Sequence, residues 1–181
     1  MSNEEKEQSG YTLIDTAAIR ASAGNLDDGA VTSGYQGDRK EIVAMLNSAL
    51  ATELVCVLRY KRHYYTVKGL ENSSAKAEFL EHAVQEQEHA DRVAERIVQL
   101  NGNPDFNPTG LVRHSHAEYD ESEDITAMIR ADLVAERVAI EVYRQMIAKI
   151  GNSDPTTRQL LVEIMAQEEE HADDMKDLLG Y

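Results

Sequence analysis

The sequence has one cysteine, no tryptophan and only three prolines among its 181 residues. A single cysteine excludes an intrachain disulfide and a cysteine-rich zinc site, which fits a reducing compartment, and we expect a cytoplasmic protein. Basic residues are also scarce, because 18 Lys and Arg stand against 33 Asp and Glu, giving a net charge of −15. A chain with this charge is repelled by polyphosphates, so a nucleic-acid partner is not expected.

The sequence also lacks an apolar run that we would expect to cross a membrane. Its first ten residues do not have the basic and then apolar order of a signal peptide. The hydrophobic content of 42% is sufficient for the core of one ordinary domain. Residues 1–37 are rich in Gly, Ser, Asn and Asp, and we expect an N-terminal extension without a folded element. It is either flexible or docked on a neighbouring subunit through the apolar stretch at residues 11–19.

Four long helical segments are predicted in the remaining domain, residues 38–181. Asp38, with Glu41 three residues later, forms a capping-box pattern at the start of the first segment. The four segments extend from Asp38 to Gly69, from about Ser73 to Gly102, from about Ser122 to Gly151, and from Asp154 to Gly180. Two joints are short, and the middle one is about twenty residues long. The pattern predicts an all-α four-helix bundle with a long crossover between helices 2 and 3.

Each helix has an apolar stripe at helical spacing that is interrupted by a carboxylate. In the second helix, for example, Ala83 and Val93 lie on the same stripe as Glu86. The stripe of the first helix is Ile42, Leu46, Ala49, Glu53, Val57, Tyr60 and Tyr64, and that of the third is Ile125, Ile129, Leu133, Glu136, Ile140, Tyr143 and Ile147. The inward glutamates, one from each helix, are Glu53, Glu86, Glu136 and Glu168. Buried together without a counter-charge, they would repel one another and lose their hydration. Two divalent cations would balance the four negative charges.

Two of the helices add a histidine three residues after the glutamate. Glu86 is followed by His89 in QEQEHAD, and Glu168 is followed by His171 in AQEEEHADDM. Residues at this spacing lie on one helix face. Single glutamates on two helices and Glu-x-x-His on the other two form the ligand pattern of di-iron carboxylate bundles. Oxygen and imidazole ligands without thiolate suit iron or manganese and give no special preference for zinc or copper(I).

At these residues the chain resembles the bacterioferritin-like branch of the ferritin superfamily, over residues 38 to 179. The matching segments are TELVCVLRY, QEQEHAD, ADLVAERV and AQEEEHADDM. The resemblance implies a di-iron site inside each subunit, with the ligands Glu53, Glu86, His89, Glu136, Glu168 and His171. In that scheme Glu86 and Glu168 bridge the two irons, and each remaining ligand binds one iron. The resemblance also implies that Tyr60, seven residues after Glu53, lies beside the site and supplies an electron.

Within this superfamily, the chain resembles Dps-like mini-ferritins that have a bacterioferritin-type site within the subunit. Haem-binding bacterioferritins have their methionine ligand at the position of Gln87, so the resemblance gives no support for haem there. Ten residues follow His171, too few for the fifth helix of 24-subunit ferritins, so a homo-oligomer of 12 subunits is favoured. The site between subunits of true Dps proteins is not expected, because His63 is the only histidine on the first helix.

The resemblance implies a ferroxidase, which binds two Fe(II), oxidises them with O2 or H2O2, and stores or detoxifies iron in an oligomeric shell. A pair of one-electron donors matches a two-electron oxidant and avoids the release of a radical. Two alternatives stay open. The same ligands could hold two manganese ions in a catalase-like enzyme, or the metals could only stabilise a non-catalytic DNA-protecting shell protein.

Other residues have simpler expected roles. Cys56 is expected to be a small buried apolar residue rather than a ligand. His114 and His116 are expected to be solvated in the crossover, with a surface metal or iron-entry role as the alternative. His82, one turn before Glu86, is expected to be a partly exposed helix residue, and a place beside the site is the alternative for it.

Overall fold

A computed structural model describes residues 14–24, 26–27 and 29–181, and the chain divides into two compact units, Met1–Tyr35 and Gln36–Tyr181. The first unit contains helix α1, Thr16–Ser22, where the sequence predicts no element. It forms because the Asp15 side chain caps it by accepting from Ala18 N at 3.0 Å, and because alanines with high helix propensity follow. Ile14 and Ile19 are exposed. Residues 11–13 of the predicted docking stretch lie outside the described residues.

The second unit contains five α-helices. They are α2 Arg39–Thr66, α3 Ser73–Gln99, α4 Leu111–His114, α5 Ile125–Ile150 and α6 Pro155–Leu178. A 3-10 turn, Leu70–Asn72, joins α2 to α3, and α4 is a single turn within the crossover. α2 packs along α3 and α5 along α6, while contacts of α3 with α6 and of α2 with α5 join the two hairpins. No strand occurs in the described part of the chain, and the predicted four-helix bundle with a long crossover is confirmed.

Aspartate side chains cap three of the long helices. Asp38 accepts from Glu41 N at 3.1 Å, and Asp154 accepts from Thr157 N at 2.9 Å, where the sequence predicts helix starts. The third long helix begins at Ile125 rather than near Ser122, because Asp124 is its cap. Ser122 bonds instead to Asp120, through both its backbone N–H and its hydroxyl, and so stays in the crossover.

The long helices bury one common core, and the predicted stripes of α2 and α3 are buried in it except for Tyr64, which is half-buried. On α5 the predicted stripe is partly wrong, because Leu133, Ile140 and Ile147 are only half-buried. The buried face of α5 instead includes Met128, Asp132, Ala135, Ala139 and Met146. An aspartate does not identify a buried face from sequence, yet Asp132 is buried here because Arg59 and His63 of α2 bond to it.

Helix α2 is long and apolar enough, by length and composition, to cross a membrane. The expectation that no segment has this property was therefore wrong. In the bundle, 56% of that apolar window is buried. The charged and polar side chains Glu53, Arg59 and His63 are also buried, and they contact polar groups of other helices. The apolar composition of α2 thus reflects its place in the bundle core.

Candidate di-metal centre

The six predicted ligands lie together in the bundle core. Helix α2 supplies Glu53, α3 supplies Glu86 and His89, α5 supplies Glu136, and α6 supplies Glu168 and His171. Each of the six residues is at most 2% exposed. The glutamates are buried because each sits on the apolar face of its helix, as Glu86 does between Ala83 and Ala90.

These residues form two overlapping groups, and in each group the ligand atoms lie within 4.8 Å of one another. One group is Glu53, Glu86, His89 and Glu168, and the other is Glu86, Glu136, Glu168 and His171. Glu86 and Glu168 belong to both groups, so each could bridge two ions. Glu53 and Glu136 belong to one group each, at opposite ends. The grouping is compatible with the roles that the resemblance implies, and metal ligation itself stays a prediction.

Several buried polar atoms of the cluster have no hydrogen-bond partner. They are Glu86 Oε1, Glu136 Oε2, both carboxylate oxygens of Glu168, and His171 Nδ1. A buried polar atom without a partner costs about 1–3 kcal/mol, and native proteins have few of them. Carboxylate oxygens and imidazole nitrogens are ligands of iron and manganese. The donor set therefore fits a pair of divalent cations, which would satisfy all of these atoms at once.

Two glutamines hold the histidines in an orientation suited to metal. His89 Nε2 donates to Gln167 Oε1 at 2.9 Å, and His171 Nε2 donates to Gln85 Oε1 at 2.8 Å. Each glutamine directly precedes a cluster glutamate, and it belongs to the helix opposite the histidine that it holds. When a ring is neutral, as metal binding requires, the proton stays on Nε2 and Nδ1 presents its lone pair toward the carboxylates. His89 Nδ1 lies 3.1 Å from Glu168 Oε1.

Two tyrosines bond to the outer glutamates, also in a crossed arrangement. Tyr60 Oη donates to Glu136 Oε1, and Tyr143 Oη donates to Glu53 Oε1. Tyr60 therefore lies beside the cluster, in contact with Glu136 rather than with the glutamate seven residues before it. The sequence analysis treated Tyr143 only as an apolar residue. The signal that identifies it is the spacing, since Tyr143 follows Glu136 by the same seven residues.

Protons neutralise the cluster when no metal is bound. Burial and the charge of Glu86 raise the pKa of Glu53 to about 8, and burial raises the pKa of Glu136 well above its usual value. Burial opposes protonation of His171, but its carboxylate partners outweigh this effect and raise its pKa to about 11. The pKa of His89 is raised for the same reason. Burial opposes ionisation of Glu86 and Glu168, but the interaction with the two neighbouring histidines outweighs it and lowers the pKa of both carboxyls.

These shifts favour protons on Glu53, Glu136, His89 and His171 in the metal-free cluster, and negative charges on Glu86 and Glu168. Protons are therefore a second way to neutralise the four buried carboxylates, besides the two cations that the sequence pattern predicts. Two divalent cations carry the same positive charge as four protons. Metal binding is therefore coupled to deprotonation of these side chains.

A buried polar network that the sequence analysis missed lies next to Glu136. Arg59 Nε donates to Asp132 Oδ1 at 2.7 Å, and its NH2 nitrogen lies 3.8 Å from Glu136 Oε1. The second oxygen of Asp132 lies 2.9 Å from His63 Nδ1, and His63 Nε2 lies 3.1 Å from Asp120 Oδ2 in the crossover. The network joins α2, α5 and the crossover, and places a permanent positive charge near the cluster. Sequence periodicity gives no sign of such long-range pairs.

His82 is buried, so the expectation of partial exposure was wrong. Its ring stacks on His171 with 4.0 Å between ring centroids, and its Nδ1 lies 3.2 Å from Tyr60 Oη. Burial and the neighbouring His171 lower the pKa of His82 to about 4. His82 therefore lies in contact with the residues around the cluster, which is the alternative that the sequence analysis allowed.

The other residues with simple expected roles lie as predicted. Cys56 is buried and accepts a hydrogen bond from the Arg59 NH2 group at 3.7 Å. His114 and His116 are exposed in the crossover. His116 nevertheless fixes the crossover to α2, because its backbone N–H donates to Thr52 Oγ1 at 3.0 Å.

A bundle of this topology, with four glutamates and two histidines gathered at its centre, defines the class of ferritin-like carboxylate bundles. A family model described as a ferritin-like domain matches residues 43–181. The chain belongs to the ferritin family, as a protein similar to bacterioferritins and Dps proteins.

Individual relatives agree with this assignment. The chain is 31% identical to a nutrient stress-induced DNA-binding protein of Synechococcus sp., over 73% of this chain and 77% of the relative. It is 28% identical to a bacterioferritin of Desulfovibrio desulfuricans, over 77% of this chain and 75% of the relative. Among solved structures, it is similar to the bacterioferritin-related protein of Bacteroides fragilis, described as a dodecameric thioferritin. The TM-score is 0.76 at 30% identity, over 80% of this chain and 88% of that one.

Proposed function

We propose that the protein is a ferroxidase that binds two Fe2+ as substrate in the cluster and oxidises them. The observation that carries the proposal is the pair of overlapping ligand groups, which share Glu86 and Glu168 and contain buried atoms without partners. Glu53 with His89, and Glu136 with His171, would each complete the ligands of one ion. Oxygen and imidazole ligands suit iron, and the family assignment favours iron over manganese.

The electrons balance in pairs. Each of two ferrous ions loses one electron, and the oxidant takes both electrons together with two protons. With O2 the product is H2O2, and with H2O2 the products are two waters. Deprotonation of Glu53, Glu136 and the two histidines on binding makes protons available at the site. When only one ferrous ion is bound, Tyr60, bonded to Glu136 and fully buried, is placed to supply the second of the two electrons and would be left as a tyrosyl radical.

We propose a homo-oligomeric shell that holds the oxidised iron, with 12 subunits favoured over 24. The dodecameric relative from Bacteroides fragilis supports this number. Large apolar side chains on the outer faces of the long helices, such as Leu58, Val84 and Val134, are more than half exposed and provide surfaces for subunit contact. We expect the shell to work in the cytoplasm. We also expect it to lack haem, because the chain has Gln87 where haem-binding bacterioferritins have their methionine ligand.

The test compares two alanine variants of α3. Glu86→Ala removes a shared ligand and should abolish rapid oxidation of Fe2+, whereas Glu88→Ala, an exposed glutamate on the same helix, should leave the rate unchanged. Absorbance of ferric iron measures the rate, and circular dichroism confirms that both variants remain helical. Unchanged oxidation in Glu86→Ala would overturn the proposal.

The same assay separates the rival functions. Sustained release of O2 from peroxide by the manganese-loaded protein, without rapid oxidation of iron, would identify a catalase-like enzyme instead. One relative is described as DNA-binding, but this chain has a net charge of −15 and only Lys6 and Arg20 in its first 37 residues. We therefore propose no direct DNA contact. Retardation of DNA by the protein at low salt would contradict this part of the proposal.

A further inference from the structure

Three side chains form a second candidate metal cluster at the outer edge of the di-metal centre. Glu78 and His82 lie one turn apart on α3, and Asp174 faces them from α6. His82 Nε2 lies 3.3 Å from Asp174 Oδ2 and 3.8 Å from Glu78 Oε2. A tetrahedral ion with ligand bonds of about 2.0–2.1 Å separates its ligand atoms by about 3.3 Å. A small movement of Glu78 would therefore complete such a site.

The hydrogen bonds of His82 determine which nitrogen faces this cluster. Tyr60 donates its proton to Glu136, so its oxygen accepts from His82, whose Nδ1 lies 3.2 Å away. The other ring nitrogen, Nε2, therefore faces Asp174 and Glu78, and its 3.3 Å contact with Asp174 Oδ2 is within hydrogen-bond distance. The His82 side chain is only 1% exposed, so the two carboxylates rather than bulk water are the neighbours of this nitrogen. A cation bound to all three groups would take the place of a proton between Nε2 and Asp174.

The di-metal ligand scheme does not itself require this cluster. The two hairpins carry matching motifs, so each residue of one hairpin has an equivalent in the other. The equivalents of Glu78, His82 and Asp174 are Leu160, Ile164 and Arg92. The equivalent end of the di-metal centre still has its own polar contacts, between His89 and Glu53 and between Tyr143 and Glu53. The polar set therefore occurs at one end only, in addition to the repeated pattern.

We propose that Glu78, His82 and Asp174 bind a third divalent cation, of the borderline class that imidazole and carboxylate ligands share, such as Fe2+, Mn2+, Co2+ or Zn2+. The Glu78 and Asp174 side chains are 33% and 52% exposed, so water completes the coordination and the ion exchanges directly with solvent. The site is thus weaker and more accessible than the buried pair. The ring of His82 and the hydroxyl of Tyr60 connect it to Glu136.

Equilibrium dialysis of the full-length protein against Zn2+, with metal analysis, tests the proposal. Zinc is chosen because it is not oxidised. Glu78→Gln together with Asp174→Asn keeps the side-chain shapes and removes both charges at the cluster. The matched control, Glu81→Gln with Asp173→Asn, removes two exposed charges from the same two helices. We expect the cluster variant to bind one zinc per chain fewer than the control. Equal stoichiometry in the two proteins would overturn the proposal.

A second measurement keeps the proposal testable if a variant folds poorly. Crystals of the wild-type protein soaked in Zn2+ should show an anomalous peak about 2.1 Å from His82 Nε2. The absence of that peak would overturn the proposal even if the di-metal centre is filled. The Glu86→Ala protein should retain this third ion, which distinguishes failure of the di-metal proposal from failure of this one.

Discussion

Single residues of the centre are held by partners from the opposite helix hairpin. Tyr60 of α2 bonds to Glu136 of α5, while Gln167 of α6 bonds to His89 of α3. Each of these contacts joins the two hairpins, so each ligand is oriented by a helix that it is not part of. Such contacts restrict ring and carboxylate orientations before a metal arrives. The geometry of the site therefore depends on the docking of the two hairpins.

The glutamine contacts lead to a prediction about metal affinity. Gln167→Leu removes the acceptor for the His89 Nε2 proton, so the ring loses its orientation and its preferred tautomer. We expect one of the two core ions to bind about 10 to 100 times more weakly, since this is the usual effect of losing such a partner. Competition of the protein with a chromogenic zinc chelator measures the affinities.

Two controls accompany that variant. Gln167→Glu retains an acceptor and should keep both ions bound. Gln145→Leu makes the same change at an exposed position of α5 and should have no effect. Wild-type affinity for both ions in Gln167→Leu would show that the glutamine does not orient His89.

At the scale of helices, the ends of the bundle are fixed by local and long-range contacts together. Asp154 caps α6, and it also receives a two-pronged bond from Arg96 of α3, whose NH2 group lies 2.9 and 3.0 Å from its two oxygens. Arg96 Nε also donates to Thr157 Oγ1 at 2.8 Å. The start of α6 is therefore joined to the end of α3. Asp124, the cap of α5, is exposed and has a local role.

This difference predicts unequal losses of stability. Asp124→Ala should lower the free energy of unfolding by about 1 kcal/mol, the usual value of an N-cap. Asp154→Ala loses the same cap and also leaves the mostly buried Arg96 without its carboxylate, so we expect about 2–4 kcal/mol. Urea unfolding of the metal-free proteins measures both values. Equal losses would mean that the contact with Arg96 adds nothing to stability.

Local signals were sufficient to predict most of the helix framework. Asp38 and Asp154 marked two helix starts correctly, and the helices end one to three residues before the predicted glycines, because caps and stops act within a few residues. The buried face of α5 was predicted only in part. Asp132 is buried because Arg59, 73 residues away in sequence, bonds to it. A periodicity argument detects apolar side chains and misses a charge buried by a distant partner.

At the scale of the whole molecule, the metal-free bundle depends on protons at its centre. The meeting of the six residues in the core followed from the sequence pattern, but their charge states did not, because pKa values depend on how closely the helices bring the carboxylates together. The glutamines and Tyr143 were missed for a related reason: their partners belong to the other hairpin. The site's composition was thus predictable, whereas its electrostatics required the packed structure.

The raised pKa values of Glu53 and Glu136 predict how stability depends on pH. The folded metal-free protein holds these two protons above the pH at which the unfolded chain releases them. Its free energy of unfolding should therefore fall as pH rises above 4.5, where the unfolded glutamates release their protons, and the share due to Glu53 is fully lost once pH has passed about 8. With saturating Zn2+ the trend should reverse, because fewer protons then compete with the metal.

Urea unfolding in chelator and in excess Zn2+ across this pH range measures both trends. Glu53→Gln, which resembles the protonated side chain, should reduce the fall in the metal-free protein. A metal-free stability that rises over this range in the wild-type protein, with no change in slope in Glu53→Gln, would contradict the assigned proton positions.

The most direct measurement is anomalous diffraction from crystals soaked in Fe2+ without oxygen, recorded at the iron edge. We predict two core peaks separated by about 3.5–4 Å, one within about 2.2 Å of His89 Nδ1 and the other within about 2.2 Å of His171 Nδ1. Glu86 and Glu168 should each contact both peaks. A core without iron, or one whose glutamates turn away from the ions, would contradict the account.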